Sequence, residues 1–266
     1  MSVLTQATAD GLVIAKRNLI KVKRIPDLLI FTTIQPIMFV LLFAYVFGGA
    51  IPVPGVSYRS YLMAGIFTQT VTFGAGITAI GLADDLQKGI IDRFRSLPMA
   101  RSAVLFGRTL SDLVNNCIVM VVMSVCGLLV GWRIERGAAK AIAAYLIIFL
   151  FAYSMSWVSA TIGLSVKSVE VAQSAGFIWM FPLTFLSNAF VTSQSLPSWL
   201  QPVANWNPVS AVVASARQLF GNNGTLARPH AWPMQHPEIT ALGWSVLLLV
   251  IFIPLSVRKY RAAAAR

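Results

Sequence analysis

Charge is scarce in this sequence: only 11% of its 266 residues are Asp, Glu, Lys or Arg, against about 25% in an ordinary water-soluble domain. That scarcity argues against a water-soluble globular domain of this length. Cysteine is represented only by Cys117 and Cys126. Nine residues apart on one apolar helix, they would be separated by about 13 Å, too far to bridge within it, and they read as small core thiols. His230 and His236 fall in a Trp-rich segment and read as interfacial aromatics rather than metal ligands. No GxxxxGK[ST] loop is present, so the chain cannot cradle a nucleotide in that way. The HExxH, Cys/His-cluster and GxSxG patterns are missing too, which leaves no catalytic set for a metalloprotease or serine hydrolase. A cleavable signal peptide is not expected, because the first apolar block begins only after some two dozen residues, too long and too polar a lead.

What the chain has in excess is apolar length. Apolar residues make up 57% of it, in blocks near the ~20 residues that a helix needs to cross ~30 Å of hydrocarbon. The expected fold is an all-α integral membrane protein forming one transmembrane domain with six spans, at about 28–47, 60–83, 111–130, 141–166, 172–190 and 241–257. Residues 1–25 read as an interfacial helix, with Lys16, Arg17, Lys21, Lys23 and Arg24 crowding its last two turns, where the negative helix end favours cations. Pro36 should kink the first span. The second is rich in small residues, among them Gly65, Gly74, Gly76, Ala79 and Gly81, which let helix backbones approach closely. Residues 191–240, rich in Pro and Trp, read as an outer re-entrant helical lid whose apolar stretch 209–220 is too short to cross. Residues 258–266 form a basic tail. The central portions of the six blocks contain no Asp, Glu, Lys, Arg or His, which disfavours a proton- or ion-coupled carrier.

The net charge of +12 does not read as nucleic-acid binding, because the basic residues cluster at the ends of apolar blocks, as anionic headgroups and topology require. Fifteen Lys and Arg fall on the side of both termini and six on the other. Both termini are therefore expected in the cytoplasm, with the lid outside.

The most strongly patterned segment lies between the second and third spans. Ile90, Ile91, Phe94 and Leu97 give an apolar face, Asp84, Asp85, Lys88, Asp92, Arg93 and Arg95 a polar one, and Pro98 stops the helix. Physics alone leaves two readings open: a cytoplasmic helix that takes force from a docked soluble protein, and a membrane-surface helix with charged flanks. The run from Asp85 to Asp112 resembles the signature region of type-2 ABC exporter permeases, most closely their daunorubicin-resistance branch. Lys88-Gly89, Asp92-Arg93, Ser96, Pro98, Arg101 and Gly107-Arg108 fall on its recurring positions. Trp206-Asn207-Pro208-Val209 followed by Arg217 resembles the family's segment before the last span. Where the family often has Glu, this chain has Asp92.

The resemblance implies a permease in a bacterial plasma membrane, paired with a second copy or a paralogue. Two ABC ATPase subunits would dock from the cytoplasm and bind ATP and Mg; no cofactor is expected in this chain. It assigns coupling to Gly89, Asp92, Arg93 and Arg95, with Arg101 and Arg108 anchoring the following elbow. Candidate substrate-path groups are the uncharged polar residues in or near the spans, chiefly Gln35, Gln69, Thr72, Asn115 and Asn188, along with Thr68, Thr70, Asn116 and Ser187. A drug-like or lipid-like amphipath moved outward is the implied substrate. The same family also exports polysaccharides and lipid-linked glycans, and a membrane-embedded enzyme or an assembly scaffold are further alternatives.

Overall fold

The computed structural model describes residues 26–46, 53–90, 103–225 and 229–263. The expected N-terminal interfacial helix, and Asp92, Arg93, Arg95 and Arg101, lie outside them. All the regular secondary structure among the described residues is helical, with no strand among them. The chain runs through α1 (Pro26–Leu41), a π-helical turn (Leu42–Val46), α2 (Tyr58–Gly74), α3 (Gly76–Gln87), α4 (Ala103–Val130), α5 (Ala138–Gly163) and α6 (Val169–Phe185). It continues through a 3-10 turn (Ser193–Ser195), α7 (Gln201–Trp206), α8 (Pro208–Phe220), α9 (Trp232–Gln235) and α10 (Pro237–Ala263). Four stretches are long and apolar enough to cross a membrane: α2 with α3, α4, α5 and α10.

Helix α5 is the hub, packing against α10, α3, α8, α4 and α2. Its sequence explains this position: after Lys140 it carries no charge, and its buried face is stepped with Ser154, Ser156, Ser159, Ala160 and Thr161. Small side chains admit neighbouring backbones, while the Ser154, Ser156 and Thr161 hydroxyls bond to carbonyls of their own helix, Ser156 to that of Ala152 at 3.2 Å. Across the interface the Thr161 and Ser256 hydroxyls meet at 2.7 Å, fastening α10 to the hub.

The expected second span is divided at Ala75, whose N–H reaches the Val71 carbonyl at 3.2 Å, with glycines on either side. The expected third span needs a larger correction. Helix α4 begins at Ala103 rather than near 111, so Arg108 and Asp112 belong to its body instead of to a polar loop and a span margin. Asp112 stands nine residues in, about 13 Å along the axis. Both charges face protein rather than lipid, and Asp112 is only 7% exposed.

The Trp-Asn-Pro-Val motif builds the start of the re-entrant helix. Asn207 caps α8 by accepting from the Val209 N–H at 2.8 Å, and Pro208 takes the first helical position. The same side chain donates to the Leu183 and Leu186 carbonyls at 2.7 and 3.1 Å, groups freed where α6 ends. Helix α8 is deeply buried, with Val209, Ala211, Val212 and Val213 fully covered, and packs on α10, α5 and α2.

Candidate functional site

Two features carry chemistry: a charged cluster at one end of α3 and α4, and a cavity beside it. At the cluster, Lys88 pairs with Asp84 at 2.8 Å on the helix surface, and Gly89, with φ of +61°, ends the helical turn in a left-handed conformation that other residues adopt only with strain. Arg108 donates to Asp85 at 3.4 Å and to the Ile77 carbonyl at 3.3 Å. Its guanidinium lies across Gly81, occupying the space that a Cβ there would fill. A glycine at 81 thus permits a half-buried arginine to reach its carboxylate. Of the residues assigned to coupling, Gly89 and Arg108 are described, and Arg108 joins α4 to α3 rather than pointing away from the bundle.

The cavity has a volume of about 540 Å³ and is walled by α1, α2, α3, α4 and α6, within the ~300–1,000 Å³ range of drug-sized sites. Gln35, Gln69 and Asn115 meet there, joined by Thr70, Asn116 and Gln173, with Phe39, Phe73 and Phe177 as apolar walls. Thr72 does not line it: fully buried, its hydroxyl is spent on the Thr68 carbonyl at 2.7 Å. Asn188 lies instead on a smaller cavity of about 210 Å³ beside Arg217.

Asp112 also lines the large cavity and was not among the sequence candidates. The Thr78 hydroxyl donates to its carboxylate at 2.5 Å. Beside it, Asn115 Oδ1 and Asn116 Nδ2 are buried without a hydrogen-bond partner among the described residues. Residues 112, 115, 116 and 119 share one helical face, a spacing already present within the expected third span.

At the far end from the charged cluster, Arg217 is 3% exposed. Its Nε donates to the Tyr61 carbonyl at 2.8 Å and a terminal nitrogen to the Ala189 carbonyl at 2.7 Å. Nearby, Trp132 Nε1 donates to Asn222 at 2.7 Å, and the Trp132 ring packs edge-on to Phe67 and Phe220.

Long apolar helices around a largely apolar cavity with a few polar groups define a multi-pass helical membrane protein. Residues 11–220 match the family model of the ABC-2 type transporters. The chain is 31% identical over 245 residues to the daunorubicin resistance ABC transporter permease protein DrrB1 of Streptomyces coeruleorubidus, covering 92% of this chain and 83% of that protein. It is 27% identical over 205 residues to the doxorubicin resistance ABC transporter permease protein DrrB of Mycobacterium tuberculosis, covering 77% and 71% of the two chains. With the putative transport permease ycf38 of Cyanophora paradoxa it shares 25% identity over 244 residues, 90% of this chain and 83% of that one. The chain belongs to the ABC-2 type transporter family and is a transmembrane permease subunit of an ABC exporter.

Proposed function

We propose that this permease moves an amphipathic, drug-like or lipid-like molecule out of the cytoplasm or inner leaflet, powered by two partner ATPase subunits that bind ATP and Mg. The observation that carries this reading is the cavity, which sets amide groups against phenylalanine walls and so suits a molecule with an apolar body and polar substituents. The names of the drug-resistance relatives agree with it. Working as a pair with a second copy or a paralogue, the permease threads the membrane six times with both termini in the cytoplasm, an arrangement supported by the distribution of Lys and Arg. In this arrangement residues 191–240 form the outer lid.

In this scheme the segment around Gly89, Asp92, Arg93, Arg95 and Arg101 receives the motion of the ATPases. The Arg108–Asp85 ion pair carries it onward, because it locks the start of α4 to α3. The cavity is walled by both helices, so a shift of their shared end alters its shape. Purification of the detergent-solubilised permease from its native host tests the proposal. A nucleotide-binding subunit with ATPase activity should co-purify, and a preparation reproducibly devoid of one would contradict the exporter scheme.

A further inference from the structure

The charge balance at the cavity has a consequence for what it holds. Asp112 is the only ionisable side chain among the described residues that line it. One turn earlier on α4, Arg108 is directed to Asp85 and the Ile77 carbonyl and does not line the cavity. Among the described residues, Arg108 forms its ion pair with Asp85 and none with Asp112. Burying a carboxylate costs several kcal/mol unless a cation or enough donors meet it, and Thr78 supplies one donor. The adjacent Asn115 Oδ1 is a buried acceptor lacking a donor among the described residues. Phe39, Phe73 and Phe177 offer aromatic faces, which attract cations through the ring quadrupole, in the same wall system.

Taking the cavity as the substrate's place, we infer that Asp112 is a recognition residue for a protonated or quaternary amine on an aromatic amphipath, with Asn115 as a second acceptor. A neutral amphipath of the same size would fill the apolar walls while leaving the carboxylate unmet. An anionic one would be repelled.

The test uses two fluorescent amphipaths, cationic rhodamine 6G and neutral Nile red, titrated against the full-length permease in lipid nanodiscs. Wild type should bind both, and D112N should weaken rhodamine 6G at least tenfold while changing Nile red less than twofold. D112E should restore most of the rhodamine 6G affinity. Rhodamine 6G affinity unchanged in D112N, equal losses for both dyes, or no binding of rhodamine 6G to wild type would each overturn the assignment. A measurement on the unmutated protein guards against a folding defect: a hydrophobic carbodiimide should modify Asp112, with rhodamine 6G protecting it and Nile red protecting it less. Equal protection by the two dyes, or none, would count against the inference. Neither measurement involves the ATPase, so a permease that co-purifies with its ATPase but fails here loses only the cation preference.

Discussion

The guanidinium of Arg217 stacks 3.4 Å above the ring of Tyr61 while its Nε donates to the carbonyl of that same residue at 2.8 Å. A buried cation is thereby held by a π face and two carbonyls, those of Tyr61 and Ala189, and the re-entrant helix is fastened to α2. Lysine cannot reproduce a planar fork. R217K should lower stability by about 2–3 kcal/mol and R217A by at least as much, read as a fall in the thermal midpoint of the solubilised protein. Y61F, which keeps both the ring and the carbonyl, should stay within about 1 kcal/mol of wild type. Wild-type stability in R217K would remove the fastening role.

A methyl group at Gly81 would take space that the Arg108 guanidinium occupies and so disturb its ion pair with Asp85. G81A should therefore cost about 1–3 kcal/mol and reduce transport. In an R108A background the same substitution should cost markedly less, giving a coupling energy of about 1 kcal/mol in a double-mutant cycle. Additive losses would show that Gly81 and Arg108 act separately.

Trp132 and Asn222 form the corresponding tie at the opposite end of the bundle. The indole N–H donates to Asn222 Oδ1 at 2.7 Å, and Asn222 Nδ2 donates to the Arg133 carbonyl at 3.1 Å. N222A should cost about 2–3 kcal/mol, since it strands a buried donor and a carbonyl. W132F keeps aromatic packing against Phe67 and Phe220 and should cost less than W132A, as thermal unfolding would measure.

Charge reversal at the proposed coupling segment should separate assembly from work. D92K and R93E should insert into the membrane at wild-type levels, judged by membrane-fraction yield, and should lower substrate-stimulated ATP hydrolysis at least tenfold. Full stimulated hydrolysis in both would clear these residues of a coupling role.

Much of the architecture was legible because lipid makes a strong demand on sequence. A spanning helix must be apolar for ~20 residues, and four of the expected blocks recur as helices meeting that demand. The start of α4 was not legible in the same way. Hydropathy counts Arg108 and Asp112 as polar wherever they point, yet each faces protein, Arg108 against Gly81 and Asp112 against Thr78. The cavity was half visible for a related reason. Gln35, Gln69, Thr72, Asn115 and Asn188 share one property, an uncharged polar side chain in an apolar run. Whether such a group meets a cavity, as Gln69 does, or its own helix, as Thr72 does, depends on which way the helix is turned. The Trp-Asn-Pro-Val motif gained its physical reason only in three dimensions, where Asn207 caps one helix while closing the end of another.

Coupling to an ATPase requires the segment around Gly89 to face the cytoplasm. With Cys117 and Cys126 replaced by alanine, a single cysteine introduced as D92C can be probed with a membrane-impermeant maleimide. Labelling is expected in inside-out vesicles and not in intact cells, with protection when the ATPase subunit is co-expressed. Labelling from outside intact cells would put the proposed motor contact in the wrong compartment and contradict ATPase docking at this segment.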